Sequence, residues 1–479
     1  MLIANQAYGF AELPGNLMSI DTLFPAASTT KAFTAAATSI VIHDSKETRS
    51  PIDWDTPISS IIPEDFVLSD DYATKHTTLE DALSHRSGLP GHGWLLLYGD
   101  KDATAHETVR SLRHLPLTAA PRTTFQYSNH MFIVMTQLLQ KQTGEPLGSF
   151  MKKRIWDPLG MKETFFSTEE AKKDPSTAAK VVKGYTWIPE ENGGHWHEEP
   201  EANWRANTGG GAIVSSVLDY SRWVRELIYR DGPLKGHDSL TKPRTFHFEP
   251  GDLNPPSPYH AYALGWFVDT YRGQHLYTHS GGWSGYSTLV GFMPEKKFGF
   301  VMMGNSNSAR FLIFKLAVRL MDKLLGPLDD PLYEAKMADW HAGHEKFKDR
   351  CLLYHPDDMD AVKRKLFPTL AASPVAHTLP LEKYVGTYMH PTGALIRVVL
   401  GDDGNLGIDA SHGPIPGYLT LTHASGEFFI AKMKSLNLAA MEPVAAEFYI
   451  DVSGIVKKIG LSLEPALKGD NIWFERNEV

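Results

Sequence analysis

FPAASTTKAFTAAA, residues 24–37, places Ser28 directly ahead of an alanine-rich run, with Lys31 three residues on. From Ser28 to about Ser45 the composition is helical. Phe33, Ile40, Val41 and Ile42 put apolar side chains on more than one face, so the pattern predicts a buried helix. A serine at the head of such a helix lies at the positive end of the dipole, and a lysine one turn on shares its face. Burial would lower the lysine pKa by desolvation and make its amine available as a proton acceptor. Taken alone, the pattern is no more than a helix N-cap. It recurs at Ser149 with Lys152 and at Ser239 with Lys242, where both residues read as surface positions.

Outward from this stretch, Thr78 and Asp81 form a capping signal for a short helix that ends in Gly and Pro. Helices are expected over 131–144, 149–160 and from Val217. Between Ala261 and Ser306 the texture changes to strands punctuated by turn residues, and antiparallel pairing is the cheap connection for such short links. A long amphipathic helix from Ala309 to Gly326 is placed across that sheet. Residues 1–326 therefore read as one α+β unit, an antiparallel sheet flanked by helices. Residues 327–378 are charged and Pro-dotted and read as a connector. From 379 to 479 the chain is a string of short strands with hairpin turns such as DDGN and DVSG; a closed antiparallel β-barrel of about eight strands would remove their exposed edges.

Composition narrows the function classes. The 479 residues exceed what one core usually supports, and 42% hydrophobic with 22% charged residues is an ordinary globular balance. A net charge of -9 without basic runs argues against nucleic acid or an anionic membrane surface and favours a small-molecule substrate. The single Cys351 rules out an internal disulfide framework and any cysteine-rich metal site. With neither a signal-peptide pattern nor eighteen consecutive apolar residues, the expectation is a soluble, cytoplasmic protein without membrane partners. The oligomeric state is not legible.

Two further triplets follow the first. FQYSNHMF sets Tyr127 and Asn129 in a loop before a helix, and YTHSGGWSGY sets His279, Gly281 and Gly282 on a strand that ends in glycines. S-x-x-K on a buried helix, Y-x-N in a loop and H-x-G on a strand, in that order, resemble the serine β-lactamase and penicillin-binding-protein superfamily, in its class C and D,D-carboxypeptidase-like branch. The blocks TTLEDALSHRSGLPG, WDPLGMKETFFS and GGGAIVSSVLDYSRWV extend the resemblance over about residues 9 to 310. The tail resembles the lipocalin-like barrel appended to some relatives, among them D-amino-acid amidases and peptidases.

The resemblance implies an all-helical subdomain beside the sheet and a serine acyl-enzyme chemistry without metal or cofactor. Ser28 would be the acylated nucleophile, Lys31 would hold the proton network, and Tyr127 would act as base toward Ser28 and acid toward the leaving group. A phenol with a pKa near 10 needs a neighbouring cation to serve as base at neutral pH. Asn129 would orient the substrate amide or the lysine, and the backbone N–H groups of Ser28 and Gly282 would form the oxyanion hole. His279, Gly281, Trp283, Tyr286 and Trp94 would contact substrate, although for each aromatic a core role reads as well. In the family's β-lactamases the second and third elements run S-D-N and K-T-G. Here Y-S-N and H-S-G replace them, and losing the lysine cation counts against antibiotic hydrolysis. The early position of Ser28 leaves little room for the N-terminal helix that relatives pack against the sheet.

Three functions fit: a serine hydrolase of an ester, amide or lactam, an acyltransferase that passes the acyl group to an alcohol or amine, and a non-catalytic scaffold of the same fold. His195 and His197 lack the further ligands of a zinc site. Gly209–Gly211 carries no phosphate-loop lysine and reads as a turn or cleft edge. Arg86 is close enough in sequence to a helix end to reach the cleft.

Overall fold

The computed structural model describes residues 4–201, 208–247, 253–353, 358–370, 373–414, 417–433 and 442–477. The serine-bearing stretch begins with a 3-10 turn, Ala27–Thr29, that runs into helix α1, Thr30–Ser45. Fourteen of its sixteen residues are buried, as expected for an alanine-rich helix without a polar face. Phe33 stacks on Trp223 at 4.1 Å and meets Tyr220 edge-on at 5.6 Å. Around α1 lie the short α2, Leu79–Leu83, opened by a Thr78–Asp81 capping box, and α3, Asn129–Thr143, which ends on Gly144 in the left-handed conformation. The stretch read as a helix over 149–160 is one continuous run from Leu147 to Leu159, with a π-turn at Lys152–Trp156.

The sheet that backs α1 has six antiparallel strands in sequential order: β1 Thr245–His247, β2 His260–Tyr262, β3 Phe267–Tyr271, β4 Gln274–Trp283, β5 Tyr286–Met293 and β6 Phe298–Gly304. Within the strand-rich stretch after Ala261, Gly265, at φ +76°, turns the chain between β2 and β3 and approaches the Lys31 carbonyl. Every residue of β5 is buried because both faces are covered. A Cβ on Gly299 would strike Val224 of α4, Val217–Tyr229, and one on Gly304 would strike Ala309 of α5, Ala309–Leu325. The sheet is thus held between α4 and α5, and its glycines mark where each helix comes closest.

The charged segment after α5 contains more structure than a connector. Pro331–Leu352 is a 22-residue helix, α6, capped by Asp330 and seated through Met337, Trp340 and His344. Three anchoring positions in six turns explain why the hydrophobic pattern was faint. The C-terminal region is a closed antiparallel barrel of eight strands, running from β7, Gly386–Met389, to β14, Ile472–Arg476. Ile396, Val398, Ile408, Leu421, Phe448, Ile459 and Phe474 are among its buried residues, and the alternation along Leu395–Leu400 follows from the two-residue period. One cluster of buried apolar residues runs through both the α+β unit and the barrel. At the seam the Leu395 N–H donates to the Tyr98 carbonyl at 3.0 Å, and the His92 N–H donates to Glu464 Oε2 at 2.7 Å.

Candidate active site

Ser28 stands in the turn before α1, where the preceding Ala27 has φ +47°. A left-handed alanine carries strain, of the kind that persists only when its surroundings hold it. The turn lies against β4, and Gly281 is what allows this: a Cβ there would sit 2.3 Å from the Ala26 carbonyl oxygen. Pairing with β3 covers only Gln274–Thr278 of β4, so from His279 onward that edge faces the serine turn instead of a strand. A Cβ on Gly282 would meet nothing within 4 Å, which places open space at this residue.

Lys31 is fully buried. Its Nζ lies 3.1 Å from Ser28 Oγ, 2.7 Å from Asn129 Oδ1 and 2.8 Å from the Gly210 carbonyl oxygen. The Tyr127 and Phe132 rings lie 4.9 and 5.2 Å from Nζ. Burial pushes the amine well below the ordinary lysine range. Tyr127 is pushed up by burial, opposed by a hydrogen bond with Ser28, so burial works against the charged form of both groups. The geometry identifies which face of the nitrogen meets the serine. Asn129 Oδ1 and the Gly210 carbonyl only accept, so they consume two N–H bonds, and in the neutral amine the lone pair is left for the Ser28 hydroxyl.

A family model described as Beta-lactamase matches residues 2–317. The chain belongs to the Beta-lactamase family. A second model, a domain of unknown function (DUF3471), matches residues 371–476, which include the barrel strands. Among curated proteins, unguisins hydrolase ungD' of Aspergillus campestris is 32% identical over 479 residues, covering 98% of this chain and 86% of its own. Unguisins hydrolase ungD of Aspergillus violaceofuscus is 34% identical over 499 residues, covering 98% and 85%. The octameric penicillin-binding protein homologue from Pyrococcus abyssi superposes with a TM-score of 0.56 at 21% identity, over 96% of this chain and 90% of that one, a likeness of fold.

In this member of the Beta-lactamase family the residues singled out from sequence fall into three groups. Ser28, Lys31, Tyr127 and Asn129 share one hydrogen-bonded cluster, with Gly281 and Gly282 alongside. His279 lies behind Tyr127, with ring centroids 6.4 Å apart, and is 1% exposed. Its Nδ1 donates to the Ser280 carbonyl at 2.7 Å, which leaves Nε2 as the acceptor for the Tyr262 hydroxyl at 2.9 Å. Burial, reinforced by Lys31, holds His279 down at about 3, so no cation replaces the lysine of K-T-G. Trp283 and Tyr286 close the β4–β5 hairpin and pack with Phe24 and Val182, and the Tyr286 hydroxyl donates to the Val182 carbonyl at 3.1 Å. Trp94 stacks on Tyr98, near the seam with the barrel.

The roles of two participants were not assigned from sequence. Gly210, in the triplet read as a turn or cleft edge, lies on the short helix Thr208–Gly211 and contributes a carbonyl, which no side-chain pattern announces. His85 packs its ring 4.3 Å from that of Tyr127. The aromatic company of FQYSNHMF was visible, but a partner some forty residues upstream was not. Arg86 is engaged by Asp81 at 2.6 Å and by Glu80, so its charge is already paired. His195 sits on an exposed hairpin beside Glu190, and no group of three His, Cys, Asp or Glu able to hold a metal occurs among the described residues. No helix among them is long and apolar enough to cross a membrane.

Proposed function

We propose that the protein is a serine hydrolase that cleaves an amide or ester through an acyl-enzyme at Ser28. The observation carrying this reading is the 3.1 Å contact between Ser28 Oγ and a buried Lys31 amine that is also engaged by Asn129 Oδ1 and the Gly210 carbonyl. In the reading, Ser28 Oγ attacks the substrate carbonyl carbon as its proton passes to Lys31, directly or through Tyr127. The tetrahedral oxyanion is held by the N–H groups of Ser28 and Gly282; one such donor is worth about 2.7–4 kcal/mol of barrier. Tyr127 returns a proton to the leaving amine or alcohol as the C–N or C–O bond breaks. Water then attacks the ester carbonyl, gives up its proton along the same route, and releases the acid with Ser28 regenerated.

Relatives named as unguisins hydrolases, at 32% and 34% identity over nearly the whole chain, support hydrolysis and place unguisins first among substrates to try. The neutral, enclosed His279 supports an acyl group without a carboxylate to be gripped, and so disfavours β-lactam antibiotics.

The test is intact mass spectrometry after mixing the protein with a fluorophosphonate, an activated ester, a D-amino-acid amide and a cephalosporin, beside Ser28→Ala. A mass gain that is absent in Ser28→Ala is expected, as is ester-adduct decay in water at a rate independent of added alcohol. Decay only with added alcohol would make the protein an acyltransferase. No adduct with any reagent would overturn the reading in favour of a non-catalytic scaffold.

A further inference from the structure

The loop that carries Tyr127 is short of regular structure: Tyr127 precedes α3, and the residues before it run alongside the segment 85–88 through single hydrogen bonds. The Thr118 N–H donates to the Gly88 carbonyl at 3.1 Å, the Arg122 N–H to the Arg86 carbonyl at 2.7 Å and the Gln126 N–H to the His85 carbonyl at 2.8 Å. The last rung is different. The Ser128 N–H donates at 3.0 Å to the Nδ1 of the same His85. The backbone N–H groups of both residues flanking Tyr127 therefore end on one residue, one on its backbone and one on its ring.

Three further features fit a device built for this purpose. His85 is fully buried, so Nδ1 is shielded from water that would compete for the Ser128 N–H. The His85 backbone takes φ +57°, an uncommon conformation for a residue with a branched ring, and this turn presents carbonyl and ring to the same strip of chain. The His85 ring lies at 32° to that of Tyr127, with Tyr262 and Phe132 at 4.8 and 5.3 Å, so the phenol rests on a fixed surface. Because Nδ1 accepts, the ring proton is on Nε2, and the side chain works as a neutral acceptor.

We infer that His85 is a positioning residue for Tyr127, clamping the backbone N–H groups of its neighbours Gln126 and Ser128 so that the phenol meets Ser28. The inference rests on the proposed proton exchange between Tyr127 and Ser28 for its catalytic consequence, but the clamp itself is observable without catalysis.

Asparagine isolates the ring nitrogen. In His85→Asn the amide oxygen stands the same number of bonds from Cα as Nδ1, and asparagine tolerates the left-handed backbone. His85→Phe keeps a ring but no acceptor, and His85→Gln moves the oxygen one bond further out. In hydrogen exchange of the 125–130 segment, H85F and H85Q are expected to lose protection while H85N keeps it. In fluorophosphonate labelling of Ser28, kinact is expected to fall about 10²-fold in H85F and H85Q with KI unchanged, the scale of a misplaced reacting group, and to recover in H85N. Equal labelling and exchange in all four proteins would overturn the inference, and so would an H85N as impaired as H85Q. If H85F does not fold, the contrast between H85N and H85Q decides alone. If wild type fails to label at Ser28, the hydrolase reading falls, while the exchange contrast still supports the clamp if present or overturns it if absent.

Discussion

The α+β unit and the barrel both close around apolar cores, but they bury different chemistry. The first unit encloses Lys31, His85, Asp81 and His279 at 1% exposure or less, whereas the polar residues buried in the barrel region, His390, Ser425 and Glu464, stay at about 8%. The barrel's inner tyrosines are bonded locally: the Tyr388 hydroxyl donates to the Tyr384 carbonyl at 2.7 Å, and the Tyr384 hydroxyl donates to Glu427 at 2.6 Å. A buried amine without a carboxylate partner is costly, and a fold that only needed stability would replace it with leucine or methionine. The contrast teaches where stability has been given up for chemistry.

The sharpest way to break this comparison is at Lys31. If the buried amine is the proton acceptor, Lys31→Ala lowers kinact for fluorophosphonate labelling of Ser28 by about 10²–10⁴-fold, the usual range for removing a general base. Labelling at the wild-type rate would mean that the polar burial around α1 is structural, and the difference between the two regions would lose its functional meaning.

Acid titration probes both regions at once. Burial is the leading cause that holds His279 and His130 of the first unit at about 3 and His390 of the barrel at about 4, below the ordinary value near 6.5. With folded values depressed, the unfolded chain binds more protons between these limits, so the contribution of each group to stability is complete above about pH 6.5 and is lost as pH falls toward 3. Each adds about 1.4 kcal/mol per pH unit to the slope in that window. Denaturant unfolding followed from pH 7 to 4 should therefore show a steep loss of stability, and His390→Gln should reduce the slope by about one proton. A slope unchanged in His390→Gln would show that the barrel histidine is hydrated and titrates normally.

Much of this arrangement was legible from the chain because it rests on periodicity. The buried α1, the alternating strands after Ala261, the closed barrel and the capping box at Thr78 all follow from side-chain spacing, and Ser28, Lys31, Tyr127 and Asn129, which meet in one cluster, came from two short motifs. What could not be read depends on backbone conformation. The turn at Gly265, the left-handed Ala27 and His85, and the Gly210 carbonyl at the lysine leave no mark on hydropathy. Helix α6 was faint because a helix resting on the outside of α5 needs few apolar contacts, and the enclosure of His279 depends on Tyr262, a residue from a different strand.

The smallest effect concerns the seam. Glu464 accepts from the His92 N–H at 2.7 Å and from the Ala466 N–H at 3.1 Å, and His92 adjoins Gly91, whose carbonyl faces His130 Nδ1 at 3.2 Å. Through these bonds the barrel holds a loop packed close to Tyr127, since a Cβ on Gly91 would lie 3.3 Å from the Tyr127 carbonyl oxygen. Removing the carboxylate in Glu464→Ala strands a buried N–H at a cost of about 1–3 kcal/mol. The apolar cluster shared by both regions is far larger than this one hydrogen bond, so the wild type should unfold in a single transition and the variant should do the same at lower denaturant. Two resolved transitions in the wild type would mean that the regions are energetically independent. Two transitions in Glu464→Ala alone would mean that one carboxylate couples them, and the barrel would then act on the site through the His92 loop rather than through its bulk.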